Sequence, residues 1–290
     1  MDTKAQEINT HIENIILKNK LLNKGLIVVK IKENKYAYIM DLNNDNYRLY
    51  IPNNIETEED VLTLNEELFN TFKGLKASKA SQNSMGCRTP IGDNIYARLN
   101  NLEIIGGTGL KTVVLLVSRL CINELNINKL YMPHLDDLSH MLSGCTINKI
   151  IFGEFNTSNI KYMNRTFAHS TIMELDISSL NLINLLSAES MFEQSKIKNL
   201  KIGKHTSLFL RNTAEMFSFS NIPEIDLSEW YAPNILKMSE MFSCCSALKI
   251  NMIDMGFGGF NRVKECDMLF YNFKGQINSS DKEFMRKFSR

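Results

Sequence analysis

An apolar repeat with a period of 25 residues constrains the fold of this 290-residue chain more than any other feature. A large apolar residue recurs without a slip over four intervals, as Leu142, Phe167, Phe192, Phe217 and Phe242. A second series with the same spacing comprises Ile122, Ile147, Ile172, Ile197 and Ile222, and further series begin at Leu125, Ile127 and Leu135. Apolar series that share one period predict a solenoid, whose stacked turns bury equivalent residues against one another.

Each repeat contains a strand pattern and a helix pattern. The apolar-x-apolar element that begins at Leu175 predicts a short strand. Apolar residues within 160–167 have the 0, 3, 7 spacing of a helix face, and Asn159 and Asn234 stand where helix N-caps would. We therefore predict an α/β leucine-rich-repeat solenoid with one short parallel strand and one short helical segment in each 25-residue turn.

A mixed α+β pattern precedes the repeat. A helix is predicted over residues 4–24, where isoleucines share one helical face. Strands are predicted over residues 26–32, 36–42 and 47–51, and a second helix over 57–72. Since a solenoid exposes an open strand edge at each end, we expect this unit to cap the first turn.

The composition along the chain predicts its organisation. Residues 1–74 form the N-terminal α+β cap, 75–93 a flexible linker or loop, 94–277 the solenoid and 278–290 a C-terminal cap. The Ser, Lys, Asn and Gly content of the linker is unsuited to burial. An insert around Gly256–Gly259 lengthens the last turn to 27–28 residues, and Phe284 and Phe288 give the C-terminal segment an apolar face.

Charge and cysteine usage argue against several protein classes. The chain has 33 Lys and Arg against 32 Asp and Glu, a net charge of +1, which does not suit a strongly basic nucleic-acid scaffold. The six cysteines are too few for a disulfide scaffold and lack paired metal-ligand spacing. The sequence shows no membrane span and no secretory leader, so we expect a cytoplasmic protein in a reducing compartment.

The segments FNTSNIKYMNRTF and IDLSEWYAPNILKMSEMFSCCSAL resemble the repeat of the BspA-like leucine-rich-repeat proteins. In that family a unit similar to LDLSxFDTSNVTxMSxMFxxC recurs at this length. The resemblance covers about residues 102–277. It implies a leucine-rich-repeat fold and the functions of bacterial surface adhesins and protein-binding proteins, and it supplies no catalytic motif.

Polar residues alternate with the inward residues of the predicted strands. One column comprises Glu124, Lys149, Glu174, Asn199, Glu224 and Lys249, and the next comprises Asn126, Ile151, Asp176, Lys201, Asp226 and Asn251. At a strand spacing of about 4.8 Å, Lys201 can lie between Asp176 and Asp226. The columns are either a self-neutralising charge ladder or a polar strip that faces a partner.

We predict a partner-binding surface on this strand face. Its residues are Glu174, Asp176, Lys201, Glu224, Asp226 and Lys249, with Tyr231 as an exposed aromatic contact. Trp230 belongs to an apolar series, and His205 occupies the same slot, so both are predicted to pack in the core.

Two local patterns have a chemical and a structural interpretation. GGTGLKT, residues 106–112, is similar to a phosphate-binding loop, but Leu110 interrupts the required Gly-Lys-Thr run. Potential metal ligands with irregular spacing, better explained as solvated polar residues, are His134, Asp136, Asp137 and His140. Cys145 and Cys245 share a repeat slot four turns apart, which favours packing over a disulfide. We predict no catalytic residue, no metal and no cofactor.

These patterns lead to one main hypothesis and two alternatives. The main hypothesis is a non-enzymatic protein that binds a protein partner through the strand face or the rim loops, and its narrower form is an inhibitor of a host or defence protein. The first alternative is a BspA-type surface adhesin exported by an unrecognised route. The second is a nucleic-acid-binding protein that uses the N-terminal unit with Lys73, Lys76 and Lys79. No membrane partner is predicted.

Overall fold

The structure is a computed structural model that describes residues 2–22, 25–79, 87–88, 95–96, 98–118, 120–252 and 262–280. The chain divides into two compact units. The first comprises Met1–Leu135 and Cys145–Asn156, and the second comprises Asp136–Gly144 and Thr157–Arg290. Most of the predicted 75–93 linker, the insert around Gly256–Gly259 and residues 281–290 of the predicted C-terminal cap lie outside the described residues.

The first unit begins with two helices that enclose a strand meander in the sequence. These elements are α1 (Thr3–Leu22), β1 (Leu26–Lys32), β2 (Lys35–Asp41), β3 (Asn46–Ile51) and α2 (Glu58–Lys79). The predicted order of helix, three strands and helix is confirmed. Helix α2 continues past Gly74, where a stop was predicted, because a single glycine costs a helix only about 1 kcal/mol and good helix formers follow it.

Helix α1 packs through its isoleucine face. Ile12 is buried with Tyr50 and Ile105, which lie on strands of the same unit. The partly buried residues around this cluster are Ile8, Ile15, Ile16, Tyr38 and Met40. The helical spacing of the isoleucines thus identifies the buried side of α1.

The sheet of the first unit changes from antiparallel to parallel pairing. After a short hairpin of β4 (Cys87–Arg88) and β5 (Ile95–Tyr96), the chain forms β6 (Arg98–Gly106), β7 (Cys121–Leu130) and β8 (Thr146–Ile151). The strand order is β1-β2-β3-β6-β7-β8. The meander pairs are antiparallel, and β3 pairs in parallel with β6 from Asn46↔Asn101 to Ile51↔Gly106. The meander therefore joins the parallel strands of the repeat directly.

The second unit consists of stacked repeat turns. Its strands are β9 (Thr171–Asp176), β10 (Lys196–Lys201), β11 (His205–Thr206), β12 (Glu224–Asp226), β13 (Trp230–Tyr231), β14 (Lys249–Asn251) and β15 (Gln276–Asn278). The parallel pairs are β9–β10, β11–β13, β12–β14 and β14–β15. Ile172 pairs with Ile197, one 25-residue period later, so the repeat is a β-solenoid as the period predicts.

Phenylalanine rings form the spine of this unit. The rings of Phe167, Phe192, Phe217, Phe242 and Phe270 stack in sequence, with centroids 5.1–5.5 Å apart. The predicted stacking of the first four is confirmed. The last turn adds Phe270 to the stack, because the Phe242 amide N–H donates to the Leu269 carbonyl and so aligns the next residue with its ring.

The predicted helical segment of each turn is wrong where the structure describes it. Residues 163–169 form successive tight turns, in which the Thr166 N–H donates to the Met163 carbonyl and the Ala168 N–H to the Arg165 carbonyl. The N–H groups between them donate to the following turn of the solenoid, for example from Arg165 to the Glu189 carbonyl at 3.0 Å. A helix would need those donors for its own i→i−4 bonds.

The predicted N-cap roles of Asn159 and Asn234 are wrong, because no helix follows either residue; Asn184 holds the equivalent position one repeat after Asn159. The Asn234 Nδ2 donates to the Leu208 carbonyl of the preceding turn at 2.9 Å, and the Asn184 Nδ2 donates to the Ser158 carbonyl at 2.8 Å. These side chains therefore tie successive turns together. Asparagine suits this position because its amide reaches a backbone carbonyl without introducing a charge.

Candidate interaction surface

The structure places all the predicted partner-binding residues on the outside of the second unit. Glu174 and Asp176 lie on β9, Lys201 on β10, Glu224 and Asp226 on β12, Tyr231 on β13 and Lys249 on β14. Each is exposed to solvent. The alternation of inward and outward side chains predicted for these strands is therefore confirmed.

Charges on this strand face pair across neighbouring strands. The Lys201 Nζ lies 2.9 Å from a carboxylate oxygen of Asp176, and the Lys249 Nζ lies 3.2 Å from a carboxylate oxygen of Glu224. Asp226, predicted to share Lys201, accepts the Ser228 backbone N–H at 3.0 Å. Exposed pairs of this kind stabilise a fold by less than about 1 kcal/mol each. Their main effect is to neutralise much of the charge of the face.

Asp176 stays ionised within this ladder. Partial burial raises the pKa of its carboxyl, but hydrogen bonds from Ser178 and Lys201 outweigh burial and hold the pKa below its ordinary value. The Ser178 backbone N–H donates to Asp176 at 2.9 Å. The carboxylate is thus a fixed partner for Lys201 at neutral pH.

The two predicted core residues beside Tyr231 are buried as expected. The His205 and Trp230 rings meet edge to face at 5.6 Å, and the Trp230 Nε1–H donates to the Ser207 hydroxyl at 2.9 Å. Burial lowers the pKa of His205. Tyr231 is 47% exposed, so the aromatic residue predicted for the surface is accessible to a partner.

A second surface that the sequence analysis missed is the turn edge, whose residues range from fully buried (Ser190) to exposed (Phe219 and Met268). We define it by the two left-handed backbone positions in each turn of the second unit after Gly144. The first column comprises Arg165, Ser190, Glu215, Glu240 and Met268, and the second comprises His169, Gln194, Phe219, Cys244 and Asn272. Their φ angles lie between 53° and 58°.

The residue types at the turn edge differ from those that the backbone favours. The left-handed region suits Gly and Asn, and other residues cost about 1–2 kcal/mol there. Asn272 meets this preference, whereas Phe219 and Glu215 do not. A signal for these positions was present in the sequence, because they stand two residues before and two residues after the buried phenylalanine of each turn.

The residues weighed as potential metal ligands, and interpreted as solvated polar residues, have other partners. Asp136 forms an ion pair with Lys161 at 2.9 Å, and Asp137 accepts the Ser139 backbone N–H at 2.7 Å. Burial, and then the nearby charge of Arg165, lower the pKa of His140. In the part of the chain that the structure describes, no three His, Cys, Asp or Glu side chains are grouped to hold a metal ion.

Cysteines of the shared repeat slot are buried in their respective units. Cys145 and Cys245 are free thiols, and burial raises the pKa of each. This agrees with the packing role predicted for both. Cys121 is disulfide-bonded, which the prediction of a reducing compartment did not anticipate.

The glycine-rich segment packs within its unit, and only one of the three linker lysines has a described side chain. Leu110 is fully buried, and Lys111 pairs with Glu56 at 2.8 Å, so the GGTGLKT segment packs within its unit. The Lys73 ammonium lies 6.0 Å from the Phe69 ring centroid. The side chains of Lys76 and Lys79 lie outside the described residues. Neither described helix is long and apolar enough to cross a membrane.

Comparison with known proteins gives one family. The model of the family described as "Mycoplasma protein of unknown function, DUF285" matches residues 117–222 and 199–282. No curated protein and no solved structure matches the chain. The two family matches overlap and together span more than half of the sequence, including the stacked turns of the second unit. The chain therefore belongs to the DUF285 family.

Proposed function

We propose that this protein is a non-enzymatic repeat protein that binds a protein partner through the outer surface of its solenoid. The proposal rests on a contrast between the buried spine, where the same residue type recurs in each turn, and the exposed positions, where the residue type varies. The stacked phenylalanines repeat from turn to turn, whereas the exposed positions change in charge and size. Such a division is typical of solenoids that present an extended binding surface.

Two surfaces of the second unit are candidates for this contact. The strand face carries the predicted residues Glu174, Asp176, Lys201, Glu224, Asp226, Lys249 and Tyr231. The turn edge carries the left-handed positions defined above. Both are held by cross-turn hydrogen bonds, which support a surface that keeps its shape on binding.

The N-terminal elements act as a cap in this proposal. β3 pairs with β6 over six consecutive residue pairs, so the backbone of the first long repeat strand has a partner on that side. An unpaired strand edge would invite association with another chain. Because the meander occupies this strand edge, we propose that the partner is bound by exposed side chains and not by backbone pairing.

Finer assignments remain predictions. We also propose that the chain is related to the BspA-like group, and that it acts in the cytoplasm as an inhibitor of a host or defence protein. The disulfide at Cys121 favours the alternative of an exported surface protein, because disulfides persist mainly in oxidising compartments. Fractionation of the native cells, followed by non-reducing mass spectrometry of the Cys121 peptide, separates the two locations.

Affinity capture tests the proposed function. The full chain, immobilised through an added tag, is exposed to an extract from its native environment, and captured proteins are identified by mass spectrometry. We expect one partner that also captures this chain in the reciprocal experiment. Failure of every reciprocal capture would contradict protein binding.

Two charge-reversal variants locate the contact. The strand-face variant carries Glu174→Lys, Asp176→Lys, Glu224→Lys and Asp226→Lys, and the turn-edge variant carries Glu215→Lys and Glu240→Lys. Loss of partner binding by a folded variant assigns the contact to that surface. Circular dichroism and thermal unfolding of each variant show that a loss of binding is not a loss of fold.

A further inference from the structure

The turn edge carries an exposed apolar surface near its C-terminal end. Phe219, Met268 and Tyr271 are 58%, 52% and 56% exposed, although each lies within two residues of a phenylalanine of the buried spine. We call this set, together with Glu215, Glu240 and Asp267, the apolar–acidic patch. Large apolar side chains that gather on a surface mark interaction sites.

Hydrogen bonds between turns bring the members of the patch onto neighbouring turns. The Phe219 N–H donates to the Ser243 carbonyl at 2.8 Å, and the Cys244 N–H donates to the Tyr271 carbonyl at 2.7 Å. Phe219 and Tyr271 thus belong to turns on either side of the one that contains Cys244. The patch spans three successive turns, which stack about 4.8 Å apart.

Carboxylates of the patch form no ion pair among the described residues, although the Ser190 hydroxyl donates to Glu215 at 3.4 Å. The Glu215 N–H donates to the Ser239 carbonyl, and the Glu240 N–H donates to the Asp267 carbonyl, both at 2.9 Å, so the three acidic positions also follow the stack. Glu215 and Glu240 are half-buried and Asp267 is exposed. Across the described parts of the second unit, none of the three forms an ion pair.

The strand face lacks this combination. Its carboxylates at Asp176 and Glu224 are paired with Lys201 and Lys249, so much of its charge is already neutralised. The patch combines accessible apolar surface with three carboxylates that form no ion pair among the described residues. Charge complementarity therefore selects a cationic and apolar occupant rather than an acidic one.

We propose that the apolar–acidic patch binds a segment of the partner protein in which Lys or Arg residues alternate with aromatic or aliphatic residues. This inference rests on the proposed function and specifies the surface and the chemistry of the partner. The apolar side chains of the segment pack against Phe219 and Tyr271. Its cations contact Glu215 and Glu240 and can also lie over the exposed rings.

Selection from a random peptide library displayed on phage tests the proposal with the full chain as bait. We expect the enriched peptides to combine Lys or Arg with aromatic or aliphatic residues. The best peptide, labelled with a fluorophore, gives the affinity by anisotropy. Its affinity should fall as salt is added, because the carboxylates of the patch are exposed or half-buried.

Variants with equal charge changes provide the control. Glu215→Lys with Glu240→Lys should weaken peptide binding by at least about tenfold. Glu7→Lys with Glu13→Lys, at exposed positions of helix α1, should leave the affinity within about twofold, since surface changes away from a contact have small effects. Glu215→Gln with Glu240→Gln preserves side-chain shape and should still weaken binding, which separates the loss of charge from misfolding.

The outcomes distinguish this inference from the proposed function. Enrichment of acidic peptides, absence of any enriched peptide, or loss of peptide binding only in the strand-face variant defined above would overturn the patch assignment. A protein partner captured reciprocally by the chain and insensitive to the Glu215 and Glu240 changes would also overturn it, while the proposed function would stand. Failure of reciprocal capture contradicts the proposed function itself.

Discussion

The rings of Phe217 and Phe242 lie face to face, with centroids 5.5 Å apart and planes within 3° of parallel. The same arrangement joins Phe192 to Phe217 at 5.1 Å. Phe217 is therefore enclosed by a ring on each side and has no exposed surface. A phenylalanine inside this stack packs against the rings of the turns before and after it, and so helps to set the spacing of those turns.

Replacement of Phe217 by alanine should destabilise the protein by about 3–5 kcal/mol, because it removes a fully buried ring and leaves a cavity between two others. Urea denaturation followed by circular dichroism measures the change in the free energy of unfolding. Phe219→Ala is the matched control, since this ring is two residues away and 58% exposed. It should change stability by less than about 1 kcal/mol. Equal effects of the two variants would refute the spine.

Capping of helix α2 gives a second prediction. The Asp60 carboxylate accepts the backbone N–H groups of Glu56 and Thr57, and its own N–H donates to the Thr57 hydroxyl at 3.2 Å. Lys32 and Lys35 lie 2.9 and 2.6 Å from its oxygens. This arrangement is a capping box that also ties the β1–β2 hairpin to the start of the helix.

Asp60→Asn should therefore lower the free energy of unfolding by about 1–3 kcal/mol at pH 7. Burial raises the pKa of Asp60, but hydrogen bonds from Lys35, Lys32 and the backbone hold it well below its ordinary range. A lowered pKa gives stability that is complete above the unfolded pKa of about 3.9 and is lost as the pH falls toward the folded value.

The Asp60→Asn variant should accordingly lose less stability than the wild type when the pH drops below about 4. Denaturation midpoints measured across this pH window give the comparison. Glu59→Gln is the control, because Glu59 is 82% exposed and its oxygen is 3.6 Å from Lys32. A pH profile of Asp60→Asn identical to that of the wild type would show that Asp60 does not contribute in this way.

Most of the strands could be predicted from the sequence, because regularly spaced apolar residues indicate which side chains face the core. Ile172 and Ile197 pair in register because they occupy the same place in the repeat. The turn segments were misassigned because the 0, 3, 7 spacing around Met163 suits both a helix and a chain of tight turns. The two structures differ in whether the intervening N–H groups donate within the segment or to the next turn of the solenoid. The spacing of apolar residues carries no information about this.

The candidate surfaces were less predictable than the core. The strand-face pairs, such as Lys201 with Asp176, follow from strand alternation and a fixed spacing. The turn edge was missed because Phe219 is as apolar as Phe217, although Phe219 is 58% exposed and Phe217 is fully buried. A pattern of apolar residues alone does not distinguish the buried ring from the exposed one.

A third prediction concerns two glycines with positive φ. Gly106 has φ 106°, and a Cβ at this position would overlap the Ile51 carbonyl oxygen. Gly144 has φ 70°, and a Cβ there would meet no atom within 4 Å. Gly144→Ala should cost about 1 kcal/mol through the backbone alone.

Gly106→Ala should cost more than about 2 kcal/mol, because the backbone of β3 must also move away from β6. Thermal unfolding of the two variants and the wild type gives the ranking. A Gly106→Ala protein at least as stable as Gly144→Ala would show that β3 does not approach Gly106 closely. It would also weaken the capping role proposed for the meander.

The buried histidine gives a prediction about pH near neutrality. Burial lowers the pKa of His205 below the value of about 6.5 that histidine has in an unfolded chain, so the folded protein favours the neutral ring. As the pH falls below about 6.5, the unfolded state takes up a proton that the folded state resists, and stability decreases. The neutral ring is held by its edge contact with Trp230 and by a 2.9 Å hydrogen bond between Nε2 and the Ile202 carbonyl.

His205→Leu places in this turn the residue type that Leu180 supplies in another turn of the solenoid. The variant should lose less stability than the wild type between pH 7 and pH 5, since it removes the proton uptake by this side chain on unfolding. Urea denaturation at several pH values measures the difference, and His11→Leu, on the exposed side of α1, controls for the loss of a histidine. If the wild type and His205→Leu lost stability in parallel over this window, His205 would not be buried as a neutral ring, and the packing of its turn against Trp230 would have to be revised.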